Sequence, residues 1–198
     1  KNKKLQIKNI QEKLLKNNVS VEDLIFKNGI NFKQIKNDQI IIDKESYNFK
    51  IFKSKDIIFA KHPSASSSAY LDFLDENLVL VTATGQIVYS KISEMANNEL
   101  KMNTIGSNIK DIVKYPEFYT SSGFGIKDIL IHENKLYLSF VNENKPECFS
   151  TGILQANINF QKLNFSNFYI SDNCINVGDK FYDDNKHDHF TAHQAGGR

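Results

Sequence analysis

The hydrophobic positions change period near residue 39, and that change divides the chain. Over residues 1–30, Ile7, Ile10 and Leu14, with Leu15 beside it, recur at the three- and four-residue steps of one helix face. Ser20-Val21-Glu22-Asp23 has capping-box form, and Asn28-Gly29 supplies a stop. The pattern predicts two short helices, or one helix and a turn. From Gln39 the period is two: Gln39–Asp43, Tyr47–Lys53 and Asp56–Ala60 read as strands rich in Ile, Phe and Tyr. The small-residue segment His62-Pro63-Ser64-Ala65-Ser66-Ser67-Ser68-Ala69 follows, readable as a linker or as a tight connection into the next strand.

Between Tyr70 and Ile170 the pattern recurs. Asp72-Phe73-Leu74, a turn at Asp75-Glu76-Asn77 and Leu78–Thr82 are matched by Asp128-Ile129-Leu130-Ile131, a turn at His132-Glu133-Asn134 and Lys135–Phe140. Asp128 follows Asp72 by 56 positions. Each copy continues into a third strand (Gln86–Lys91, Thr151–Ile158) and a weaker fourth near Ile109–Val113 or Asn167–Ile170. Four antiparallel strands recurring at ~50 residues are the mark of propeller blades, the alternative being an unrelated meander or sandwich. The expected fold is mainly β: an incomplete β-propeller of four-stranded antiparallel blades with a short N-terminal helical segment. Residues 1–38 form the helical appendage and 39–198 the propeller portion. The blade-like repeats fall at about 69–115 and 125–172, and a further blade starts at 196–198. Asp72 and Asp128 are expected to be structural, satisfying turn or inter-blade N–H groups.

Composition narrows the function classes. Lys and Arg total 25 against 23 for Asp and Glu, a net charge of +2, which offers no electrostatic case for nucleic acid. No apolar run approaches the ~20 residues of a membrane span. The basic run Lys1-Asn2-Lys3-Lys4 reads as a solvated terminus. Cys148 and Cys174 belong to no CxxC pair, so a thiolate zinc site is not indicated. They flank one β-segment and suit a disulfide, worth ~3 kcal/mol by chain entropy, against the alternative of two separate buried thiols. A disulfide would imply an oxidising compartment.

Chemistry concentrates in Asp183–Arg198, which holds three of the five histidines (His187, His189, His193) and the Gly196-Gly197 pair. Three readings compete. His193 is a general base with Arg198 orienting a polar or anionic ligand. Alternatively, His189 and His193, at i and i+4, bind a metal with His187, Asp184 or Asp188, although the HExxH pattern is absent. In the third reading the segment is a solvated polar loop.

His193-Gln194-Ala195-Gly196-Gly197-Arg198, following two propeller-like repeats, resembles the histidine-glycine-arginine motif of the soluble glucose/sorbosone dehydrogenase family. His62–Asp72, Thr82-Ala83-Thr84-Gly85-Gln86 and Cys148-Phe149-Ser150-Thr151 extend the resemblance, to a marine bacterial branch of that family, over about residues 55–198. It implies an exported, periplasmic or extracellular six-bladed propeller, a PQQ-dependent sugar dehydrogenase of which this chain is the amino-terminal part. Pyrroloquinoline quinone (PQQ) and calcium are implied by the resemblance alone, and their binding residues would lie in later blades, not in this chain. His193 would take the proton from an aldose C1 hydroxyl, with Gln194 beside it and Arg198 closing the motif as substrate- or cofactor-binding residues. His193 stands five positions before Arg198, one more than the family's spacing, so an extra residue must bulge. The implied partners are a small-molecule sugar and the remainder of the propeller, supplied by further sequence or by other chains. A non-catalytic propeller binding carbohydrate or protein is the rival reading.

Overall fold

The computed structural model describes residues 29–54, 69–120 and 124–177. These are mainly β, with short helices only, and the strands pair antiparallel apart from one two-residue bridge. Among the described residues no helix is long and apolar enough to cross a membrane. The chain divides into two compact units, Lys1–Ile58 with Glu94–Thr104, and Phe59–Ser93 with Ile105–Arg198.

In the first unit, β1 (Ile30–Ile42) and β2 (Glu45–Ser54) form a long hairpin closed by Asp43-Lys44. Both turn residues have positive φ, at 51° and 72°, as a two-residue hairpin loop of primed type requires. The near end of β1 pairs antiparallel with β6 (Glu99–Ser107), Ile30 opposite Met102 and Lys33 opposite Glu99. The sequence placed residues 30–38 in the helical appendage, but β1 starts nine residues before Gln39. Ile30 and Phe32 do alternate inward, but a register shift between Gln34 and Lys36 turns Ile35 outward and conceals the period. Gly29, at φ 76°, abuts the Met102 carbonyl so closely that a Cβ would collide with it.

Beyond the bulge the ribbon is amphipathic. Cross-strand partners share a face, so Ile40 and Tyr47, and Phe49 opposite Asp38, lie on one side with Ile42. Asn37, Gln39, Ser46, Asn48 and Lys50 lie on the other with Ile41. All four members of the apolar row are exposed among the described residues.

The second unit holds two antiparallel meanders. β3 (Ala69–Leu74), β4 (Asn77–Thr82) and β5 (Ile87–Lys91) pair in succession, Asp72 opposite Val79 and Leu80 opposite Val88. β7 (Ile126–His132), β8 (Lys135–Lys145), β9 (Cys148–Asn157) and β11 (Ser166–Ile170) form the other, in the order β11-β9-β8-β7. The Glu133-Asn134 turn again has two positive φ values. Two-residue strands β10 (Lys162–Leu163) and β12 (Ile175–Asn176) add to β6 and β9.

The fourth strand expected near Ile109–Val113 is instead a one-turn helix, α1 (Ile109–Ile112), followed by α2 (Glu117–Thr120). Ile109 and Val113, four apart, are both buried, which is helical spacing rather than strand alternation. In β8, Leu136, Leu138 and Phe140 point inward, and in β9 Leu154 and Ala156 do, all buried with Val79, Val81, Ile87, Ile126 and Phe118 in one cluster. The structure therefore supports a mainly β, antiparallel fold with repeated hairpins.

Candidate functional site

The residues singled out for chemistry, His193, Gln194 and Arg198, lie outside the described residues, as do His62, Asp184, His187, Asp188 and His189. The expected start of a further blade at 196–198 and the strand at Asp56–Ala60 also fall outside. Among the described residues no group of three or more His, Cys, Asp or Glu side chains could hold a metal ion.

The cysteine pairing is present. Cys148, the first residue of β9, is bonded to Cys174, with the Cα atoms 5.4 Å apart. A polar network knits the same end of the sheet. Ser150 donates to Asn144 Oδ1, and Asn142 Nδ2 donates to the same oxygen at 3.0 Å. Asn144 Nδ2 donates to the Ser171 carbonyl at 2.8 Å, and Val177 N–H to the Glu147 carbonyl at 2.9 Å. This arrangement ties the chain after β11 to the β8–β9 hairpin and offers no reactive group.

The two repeated aspartates serve backbone N–H groups. Asp128 Oδ1 accepts from its neighbour Ile129 at 2.9 Å, and Asp72 Oδ1 from Phe73 at 2.8 Å. Asp72 does more: its Oδ2 accepts the Ile131 N–H of β7 at 2.6 Å, bridging one repeat to the next. The expectation that these carboxylates are structural agrees with that geometry.

Among the described residues Tyr115 departs furthest from its ordinary titration range. Its hydroxyl lies within hydrogen-bond distance of the Phe124 and Val141 carbonyls, so its one proton can serve either. Burial, reinforced by the charges of Glu143, Tyr119 and Glu117, pushes this phenol far above its ordinary range. Burial also raises Tyr119, with Asp111 adding, to about 12. Neither phenol can act as a base near neutral pH. Lys127 is lowered from its ordinary value by burial.

A concavity of about 170 Å³ is lined by Lys135, Gln155, Ala156, Asn157, Asn164 and Ser166. Antiparallel register sets Lys135 opposite Asn157, and Gln155 between Tyr137 on one side and Ser166 on the other. These are the outward positions of strands whose alternate residues, Leu136, Leu138, Leu154 and Ala156, fill the core. Asn164 comes from the segment between β10 and β11. There Leu163 and Phe165 are buried, and Asn108 pins the backbone by donating to the Phe165 carbonyl (3.0 Å) and accepting its N–H (2.6 Å). In the sequence none of these residues is singled out for binding. No local motif joins residues drawn from two strands and a loop; the outward period-two positions of β8 and β9 were the only available signal.

No family model, no curated protein and no solved structure matches this chain.

Proposed function

We propose that the chain is the amino-terminal part of an exported β-propeller that oxidises a sugar hydroxyl, of the quinone-dependent sugar dehydrogenase kind. Support comes first from the repeat. Two Asp-led hairpins recur, Asp72–Leu74 on Asn77–Val79 and Asp128–Ile131 on Leu136–Ser139, the second lengthened by two residue pairs between the aspartate and the turn, with Asp72 bonded across to the second copy. That bridge between successive repeats is the observation that carries the reading, since each unit of a repeat architecture contacts its sequence neighbour. The His193–Arg198 motif gives the reaction class, and the Cys148–Cys174 bond fits an oxidising compartment. The chain's own contribution is His193 as a neutral imidazole accepting the hydroxyl proton, with Arg198 and Gln194 orienting the sugar.

The test is turnover of aldoses by the intact protein supplied with the quinone and calcium. His193→Ala should lower it by ~10²–10⁴. Unchanged turnover removes His193 from the mechanism. Glycan or protein affinity indifferent to quinone and calcium, with no turnover, replaces the enzyme by a non-catalytic binding propeller.

A further inference from the structure

The concavity on the outer face of β8, β9 and β11 is polar and open to solvent, with Asn157, Asn164 and Ser166 exposed and Lys135 and Gln155 half-buried. Five polar side chains converge on it, Lys135, Gln155, Asn157, Asn164 and Ser166, and none is hydrogen-bonded or ion-paired to another described residue. Several other polar side chains of this unit are engaged: Asn108 holds Phe165, Asn144 holds Ser171, and Asp72 holds Ile131. The floor is rigid, because Ala156 and the inward neighbours Leu136 and Leu154 are buried in the core. Beside the polar group, Tyr137 and Phe168 stack edge to face with centroids 5.3 Å apart, and Phe168 is 57% exposed. A bulge in β11 between Asn167 and Tyr169 presents that ring.

This chemistry selects a ligand. Three carboxamides and a hydroxyl can each donate and accept, matching a ring of hydroxyl groups that do the same. Aromatic faces at the rim support an apolar ring face. Lys135 is the single cation among the lining side chains, and no lining carboxylate opposes it. The volume is below the ~300 Å³ at which pockets for larger ligands begin, which suits one ring rather than an oligosaccharide. We propose that the concavity binds a single acidic sugar unit, a hexuronate. Lys135 meets its carboxylate, and Gln155, Asn157, Asn164 and Ser166 exchange hydrogen bonds with its hydroxyls. The site is independent of the proposed oxidation at His193, so either can fail alone.

The test is titration of the intact, disulfide-bonded protein with glucuronate, followed by NMR of the Gln155, Asn157 and Asn164 side-chain amides. Saturable shifts confined to these groups and the neighbouring backbone are expected, with glucose binding at least about tenfold more weakly, because it lacks the charge-assisted contact. Lys135→Met should weaken glucuronate by about tenfold while leaving glucose unchanged. Asn164→Ala, at an exposed loop position, should weaken both sugars and keeps the test open if the Lys135 variant misfolds. Absence of saturable shifts at millimolar glucuronate overturns the proposal, as does equal affinity for the two sugars or binding undiminished in the variants.

Discussion

Removing the Asp72 carboxylate should cost more stability than removing its counterpart in the second repeat. Both aspartates accept the N–H of the following residue, so that local bond is common to the pair. Only Asp72 reaches a second donor, the Ile131 N–H of β7, at the short distance typical of a charge-assisted bond. A hydrogen bond to a charged group contributes about 1.5–3 kcal/mol, and a local neutral-strength bond on a partly exposed strand about 0.5–1 kcal/mol. Asp72→Ala is therefore expected to lose about 2–3 kcal/mol, and Asp128→Ala about 0.5–1 kcal/mol. Asp72→Asn keeps a neutral acceptor and should recover roughly half the difference. Urea unfolding under oxidising conditions measures all three changes, and amide hydrogen exchange localises them. Protection of the Ile131 amide should fall in Asp72→Ala and stay unchanged in Asp128→Ala. If Asp128→Ala costs as much as Asp72→Ala, or if Ile131 protection survives the loss of Asp72, the bridge contributes nothing and the inter-repeat argument fails.

Three further outcomes follow from the same unit. A Cβ at Gly125 would lie deep within the Ala83 carbonyl, the acceptor of the Ile126 N–H, so Gly125→Ala should destabilise by about 3 kcal/mol or more in thermal unfolding; a change under 1 kcal/mol would contradict that packing. The Cys148–Cys174 bond closes a separation of 26 residues, worth about 3.5 kcal/mol by chain entropy, and the paired Cys148→Ala/Cys174→Ala variant should lose that much in urea with β12 exchanging first. Tyr115 is raised by burial, so the folded state keeps a proton that the unfolded state releases above about pH 10. Its contribution is complete below that pH and is lost as pH rises, so Tyr115→Phe should unfold less steeply with pH in the alkaline range than the unaltered protein; parallel curves would refute the assignment.

The sequence revealed the hairpins because three independent signals coincide in them. Leu136, Leu138 and Phe140 alternate strictly with polar or half-exposed neighbours, the turn at Glu133-Asn134 carries an Asn tolerant of positive φ, and the β-branched Ile129 and Ile131 precede it. Where one signal is broken the strand is hidden in the sequence. The bulge at Gln34–Lys36 interrupted the alternation of β1, and β6 went unread although Leu100 and Met102 alternate inward. Its strand role was assigned to Ile109–Val113, whose buried positions follow a helical step. The disulfide was legible from two unpaired cysteines flanking one strand. The concavity was not, because Lys135, Gln155 and Ser166 meet only through strand register.

The β1–β2 ribbon has a colloidal consequence. Its outer strand β2 is an edge of its sheet among the described residues, and its apolar row of Ile40, Ile42, Tyr47 and Phe49 faces solvent there. Lysines at 33, 36, 44, 50 and 53 outnumber Asp38, Asp43 and Glu45 along the ribbon, with Lys33 and Lys36 paired to Glu99 and Asp38, and the excess positive charge opposes templating of one such ribbon on another. That protection is electrostatic, and at physiological ionic strength it is screened beyond about 8 Å. The working concentration of the isolated chain is therefore set by salt as well as by folding stability, with light scattering rising as ionic strength increases at constant pH.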